Sequence, residues 1–246
     1  MKIRDSFNDV FGKVKKVLVV TAHPDDLELI CGGTVARLTD KGVKVRSVVM
    51  TNGGKGMKDR SDVTEEEFAK LRIAEQKEAD VEIGIPKKEN FNFDIPDGEL
   101  ETSLENIEKV VFHIRQFKPD AVITHNPEPK IVKFSEDTYW VNHRDHRNCG
   151  IVTMDAMYPY SRDRGFFPQH FSKDDLEPHS VNHLLFSDAY SDPQLNYFDI
   201  KDFVEQRRKA LMKHKNAFTK KNVDGLMEEV QMGSGYFEPL GHIEIY

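Results

Sequence analysis

Two cysteines, Cys31 and Cys149, are all that this chain of 246 residues contains. No disulfide framework can therefore hold it together, and each thiol reads as a small buried hydrophobe. Long apolar runs are also missing. Nothing approaches the roughly 20 residues needed to cross a bilayer, and the opening stretch "MKIRDSFNDVFGKVKK" is too polar for the core of a secretory signal. The expectation is a cytoplasmic protein with no membrane partner. Basic residues are outnumbered, 35 Lys and Arg against 42 Asp and Glu, for a net charge of -7, which gives no general attraction to nucleic acid. Neither a G-x-G-x-x-G fingerprint nor a complete phosphate loop occurs, so a nucleotide is not the implied ligand. A linker rich in Pro, Ser or Gly, an internal repeat and a low-complexity segment are absent too, and the chain reads as a single domain over 1–246.

What is present is an alternation. "KVLVVTA" (16–22), "VKVRSVVM" (43–50) and "DAVITH" (120–125) are valine-rich runs, the pattern of strands covered on both faces. Helical patterns lie between and after them at 27–41, 64–84 and 102–118, the second opened by Thr64 with Glu67 as a capping box. Further helices are expected at 145–157 and 202–218, and shorter strands at "NHLLFS" and "LNYFDI". Such alternation predicts right-handed βαβ units in a doubly wound sheet, with the ligand site at the carboxyl ends of the strands. "TAHPDD", "TNGGKGMK" and "THNPEPK" all fall at such ends. "SRDRGFFPQHFSKDDLEPH" (161–179) reads as a long irregular lid or rim.

His23, Asp25 and Asp26 stand within four residues at the end of the first strand. Taken alone, "HPDD" has two readings of equal weight: a catalytic loop, or a helix start in which Pro24 suits the first turn and the aspartates complement free N–H groups. A second cluster tips the balance. "NHRDHR" (142–147) again sets an acid among histidines, with His143 and His146 three apart and so on one face of an entering helix. Two histidines and a carboxylate supply the nitrogen and oxygen ligands that suit zinc, with a fourth position left for water. His23, Asp26 and His146 make such a set.

These stretches resemble a known family. "AHPDDLELICGGTVARL" resembles the signature of the LmbE/PIG-L-type N-deacetylases, whose A-H-P-D-D-x-E pattern is met by Ala22 to Glu28, and "HRDH" resembles their second motif, H-x-D-H. "TNGGKG", "RIAEQKEAD", "NFDIPDGEL", "FDI" and "KALMKHKNAF" extend the likeness over roughly 16–218. The resemblance implies a Rossmann-like three-layer α/β/α sandwich with a mostly parallel sheet. It implies His23, Asp26 and His146 as ligands of zinc or another divalent metal, Asp25 as general base, and His143 as the group that stabilises the oxyanion or aids the leaving amine. The activity implied is removal of acetyl from a small N-acetylated amino sugar, of the N-acetylglucosamine or diacetylchitobiose type, by a homo-oligomer. A conjugate such as a malate or inositol glycoside is the alternative substrate, and a metal- or sugar-binding protein without turnover is the alternative class.

Other positions carry two readings each. Asp145 either holds a ligand histidine by its other ring nitrogen or caps a helix. By the resemblance Arg72 contacts the sugar, whereas a surface ion pair with Glu75 or Glu78 is the plain reading. Asp97 could bind substrate hydroxyls, although "PDG" is a turn signal in its own right. His125, at a strand end, reads as a satisfied structural histidine. His242 resembles the terminal histidine that in the diacetylchitobiose branch reaches a neighbouring subunit's site. Tyr139 and Trp140 could stack on a sugar ring or pack a rim. "RRKALMKHK" (207–215) reads as the solvated face of an amphipathic helix. Gly54 stands where many family members carry a glutamate, which removes one expected substrate contact.

Overall fold

The computed structural model describes residues 3–58, 60–135, 137–173, 175–190 and 194–245. After a short helix α1 (Phe7–Phe11), the chain alternates through β1 (Lys16–Thr21), α2 (Asp26–Asp40), β2 (Lys44–Thr51), α3 (Glu65–Glu82), β3 (Asn90–Ile95), α4 (Leu104–Phe117) and β4 (Ala121–Thr124). A two-stranded hairpin, β5 (Ile131–Lys133) and β6 (Tyr139–Val141), leads into α5 (Arg144–Asp155) and α6 (Gln169–Lys173). The last part holds β7 (His183–Phe186), β8 (Leu195–Asp199), α7 (Val204–Leu211), α8 (Lys220–Glu229), β9 (Gln231–Met232) and β10 (Gly235–Glu244).

The main sheet runs β3-β2-β1-β4-β7-β10-β8. Neighbours from β3 to β7 are parallel, and β10 is antiparallel to both β7 and β8. Strand periodicity explains why β1 is apolar at every position: Val17 and Val19 enter one core layer, Leu18 and Val20 the other. The first layer is covered by α1, α2 and the end of α3, the second by α4 and α5. The mainly parallel α/β architecture expected from the sequence is thus present. Among the described residues no helix is long and apolar enough to cross a membrane.

Thr64 and Glu67 form the expected reciprocal capping box on α3. Three expectations need correction. The helix expected at 202–218 is regular only over Val204–Leu211, because the chain then turns to bury His214 against Glu28, 3.1 Å away. Its basic face is not simply solvated either: Arg207 is 2% exposed and His214 0%. Nor is 161–179 a lid over the strand ends. The Arg115 guanidinium gathers the carbonyls of Tyr160, Ser161, Asp163 and Phe166, and His179 bonds the Pro119 carbonyl. Those anchors lie near the end of α4, whose Phe117 carbonyl accepts from Lys16 Nζ at the start of β1, so they fix the segment at the end of the sheet opposite the carboxyl ends of the parallel strands.

Candidate active site

The strand order reverses at β1, which has β2 on one side and β4 on the other. In doubly wound sheets the crevice outside such a switch point receives the ligand. His23 follows β1 into this crevice and His125 follows β4, while the first turn of α5 brings His143, Asp145 and His146. α5 packs directly on the chain leaving β4. A Cβ at Gly150 would come within 2.4 Å of the His125 carbonyl oxygen, so glycine is what allows the approach.

His23, Asp26 and His146, predicted as ligands from opposite sides of a long sequence gap, meet here. His23 Nδ1 lies 3.2 Å from His146 Nε2 and 3.4 Å from Asp26 Oδ2, and His146 Nε2 lies 3.3 Å from Asp26 Oδ1. Ligand atoms held at zinc distances of about 2.0–2.2 Å stand roughly 3.3–3.6 Å apart along the edges of a tetrahedron. With one Asp26 oxygen facing each histidine, the donors suit a small divalent cation in type and lie at about the required spacing, and His125 adjoins Asp26 and His146 as a further nitrogen donor. Electrostatics agree. Burial would raise Asp26, but the charges of His146 and His125 hold its carboxyl well below the usual range. Burial would lower His23, but Asp145, Asp26 and Asp97 hold its imidazole well above the usual range in the cation-free protein. A cation would replace that proton as the partner of the carboxylates.

Asp25 is turned elsewhere. Its backbone has φ +103°, a left-handed conformation, and its N–H donates to Gln76 Oε1 at 2.7 Å. Gln76 is itself fixed, because Nε2 donates to Glu28 at 3.1 Å and Asp80 at 2.9 Å. Arg72 donates to Asp25 Oδ2 at 2.9 Å and to the Pro24 carbonyl. Burial raises Asp25 to about 6 despite the Arg72 charge, within reach of a general base working near neutrality. Arg72 is thus buried on Asp25 and is not the surface ion pair with Glu75 or Glu78; Glu75 instead accepts from Asn216.

Asp97 and Asp145 flank the far nitrogen of His23, at 3.3 and 3.5 Å from Nε2. Asp145 also accepts from the Gly98 N–H at 2.7 Å, so it ties the "PDG" turn to α5. It does not cap the helix: that position belongs to His143, whose Nδ1 accepts from the Asp145 N–H at 3.2 Å. The proton of a neutral His143 is then on Nε2, free to donate. Burial, followed by the charges of His23 and His146, lowers the His143 pKa and favours that neutral form.

His125 is more closely engaged than its sequence reading suggested. It is 1% exposed, its Nε2 lies 3.1 Å from Asp26 Oδ2, and its ring stacks on His146 at 4.1 Å with 12° between planes. Its place at a parallel-strand end was the available signal. His242 is brought nowhere near this site within its own chain. It pairs in register with Leu185, and its Nε2 lies 3.1 Å from Nδ1 of His183, which aligns with Ala121 at the opposite end of the sheet. Trp140 contacts Phe134 and Tyr190 beside the hairpin. The space beside Gly54 is filled by Glu65, whose Cγ would be 3.0 Å from an added Cβ.

Residues 18–157 match the family described as PIG-L: GlcNAc-PI de-N-acetylase. The chain is 32% identical over 222 residues to a diacetylchitobiose deacetylase of Thermococcus kodakarensis, covering 88% of this chain and 74% of that one. It is 25% identical over 223 residues to a probable N-acetyl-alpha-D-glucosaminyl L-malate deacetylase 2 of Bacillus anthracis, covering 89% and 88%. Among solved structures, N,N'-diacetylchitobiose deacetylase from Pyrococcus horikoshii superimposes with a TM-score of 0.82 at 25% identity, covering 96% of this chain and 86% of that one.

Proposed function

Because the chain belongs to the PIG-L family of de-N-acetylases, we propose that it hydrolyses the acetamide of a small amino sugar, of the N-acetylglucosamine or diacetylchitobiose type, with zinc as the resident cation. The observation that carries this reading is the set of spacings among His23, Asp26 and His146, with a separate buried carboxylate next to them. Bound there, the cation would bring the pKa of a water towards neutrality and polarise the amide carbonyl.

The chain's own groups divide the remaining work. Asp25 accepts the proton of the attacking water and passes it to the departing nitrogen, and Arg72 with Gln76 keeps that carboxylate aimed. Nε2–H of His143 donates to the oxygen on which charge develops. Asp145 and Asp97 hold the His23 ring by its far nitrogen, which fixes the ligand's orientation. No covalent bond to the protein is needed.

A glucosaminyl conjugate is the second substrate reading, supported by the malate-deacetylase relative that the chain matches along 89% of its length. Acetate release is the test, run with N-acetylglucosamine, diacetylchitobiose and an N-acetylglucosaminyl malate on zinc-loaded and chelated protein. Release from the free sugars by the loaded form alone is expected. Release from the malate conjugate alone would move the assignment to the second reading, and sugar binding without acetate would leave a binding protein on the same fold.

A further inference from the structure

Helix α2, which begins with Asp26, is not one continuous helix: Cys31 departs from helical geometry at φ -151° and ψ 20°. In an unbroken helix the Leu29 carbonyl and the Gly33 amide would bond each other. Here both are claimed by side chains from distant parts of the chain. Arg207 on α7 donates to the carbonyls of Glu28 at 3.0 Å and Leu29 at 2.9 Å. Glu238 on β10 accepts from the amides of Gly33 at 2.8 Å and Thr34 at 2.7 Å. The two side chains also meet each other, Arg207 Nε to Glu238 Oε1 at 3.0 Å, with 2% and 1% of their side chains exposed. One ion pair thus caps both sides of the break. The glycines make room for it: a Cβ at Gly32 would lie 3.3 Å from Arg207 Cγ, and one at Gly33 would lie 2.8 Å from Ile200.

The half of α2 before the break is what leads into the site. The Leu29 N–H bonds the Asp25 carbonyl at 3.1 Å, and the Glu28 carboxyl accepts from Gln76, which holds the Asp25 amide. A buried ion pair is seldom better for stability than apolar residues of the same size, so its presence at a helix break points to a particular arrangement being held. We propose that Arg207 and Glu238 are positioning residues, clamping the break in α2 so that Asp25 and Asp26 present different faces to the cation site. This rests on the deacetylase reading above.

Cobalt(II) titration of the full chain, followed by its visible absorption, tests this with a readout other than turnover. The wild type is expected to bind and Asp26→Asn to lose binding; a wild type that takes up no cobalt would overturn the site reading and this inference with it. Given wild-type binding, Glu238→Gln and Arg207→Lys are expected to weaken the cobalt affinity about fivefold or more and to alter the spectrum. Arg115→Lys, a buried arginine near the end of the sheet opposite the site, is expected to lower thermal stability without either effect. Wild-type affinity and spectrum in both clamp variants, or equal weakening in Arg115→Lys, would overturn the proposal. Should a clamp variant not fold, reciprocity supplies a measurement on the wild type: cobalt should slow hydrogen exchange at the Gly33 and Thr34 amides about fivefold or more. Unchanged exchange there overturns it equally.

Discussion

Asp25 faces Arg72 and the adjacent Asp26 faces His146 because their backbones differ. Asp25 sits at φ +103° whereas Asp26 begins a helix, and a non-glycine residue so placed costs of order 1–3 kcal/mol that its surroundings must offset. Gln76 and Arg72 provide that offset. Asp26→Asn should therefore abolish stoichiometric metal in elemental analysis, while Asp25→Asn keeps the metal and loses most acetate release; equal metal loss in both would contradict the assignment. Gln76→Met should be costly too. It strands the Asp25 amide and removes a donor from Glu28 and Asp80, so urea unfolding should show a loss of about 2–4 kcal/mol. At this scale the sequence was informative about residue types and less so about partners. "HPDD" and "HRDH" mark the His/Asp cluster that the fold brings together, but nothing local announces that Arg72 faces Asp25, because that contact is set by how α3 packs.

Among elements, those covered on both faces were the most legible. β1, β2 and β4 declare themselves by valine-rich apolar runs, interrupted in β2 only by Arg46 and Ser47, since both sides of each are in the core. β3 lies at the sheet edge, where NFNFDI alternates polar and apolar residues as a half-buried strand does, and β10 carries Pro239 and glycines, so neither shows the apolar run of a strand covered on both faces. The break in α2 was hidden for a different reason: its cause lies in residues 207 and 238, far along the chain. Gly33→Ala tests the tightness of that packing. The added methyl meets three atoms of Ile200 at 2.8–2.9 Å, and a loss of about 1–3 kcal/mol is expected in denaturant unfolding. Thr64→Ala, which removes only the cap of α3, should cost about 1 kcal/mol.

For the molecule as a whole, the buried acids beneath the site make stability depend on pH. Burial raises Glu28 from 4.5 to about 8 and Asp80 from 3.8 to about 7. Between their unfolded and folded values the native protein holds protons that the unfolded chain has released, so stability falls as pH rises. Below about 6.5 the histidines whose values burial lowers, His113, His125 and His214, oppose this. His113, lowered to about 3 by burial and the Arg46 charge, is neutral when folded and charged when unfolded. From pH 6.5 to 8 the acids act unopposed by them. Chelated protein should lose roughly 1–2 kcal/mol across that span through Glu28 alone, and Glu28→Gln should flatten the slope of the urea midpoint against pH. Adding cation at about 100 times its Kd should restore about 2.7 kcal/mol.

The bond between Gly33 and Glu238 spans 205 positions of sequence. On a ribosome moving at about 5–20 residues per second, the nascent loop after β1 would wait roughly 10–40 s for its last brace. The support beneath the Asp25–Asp26 turn is therefore among the last long-range contacts of the fold to close.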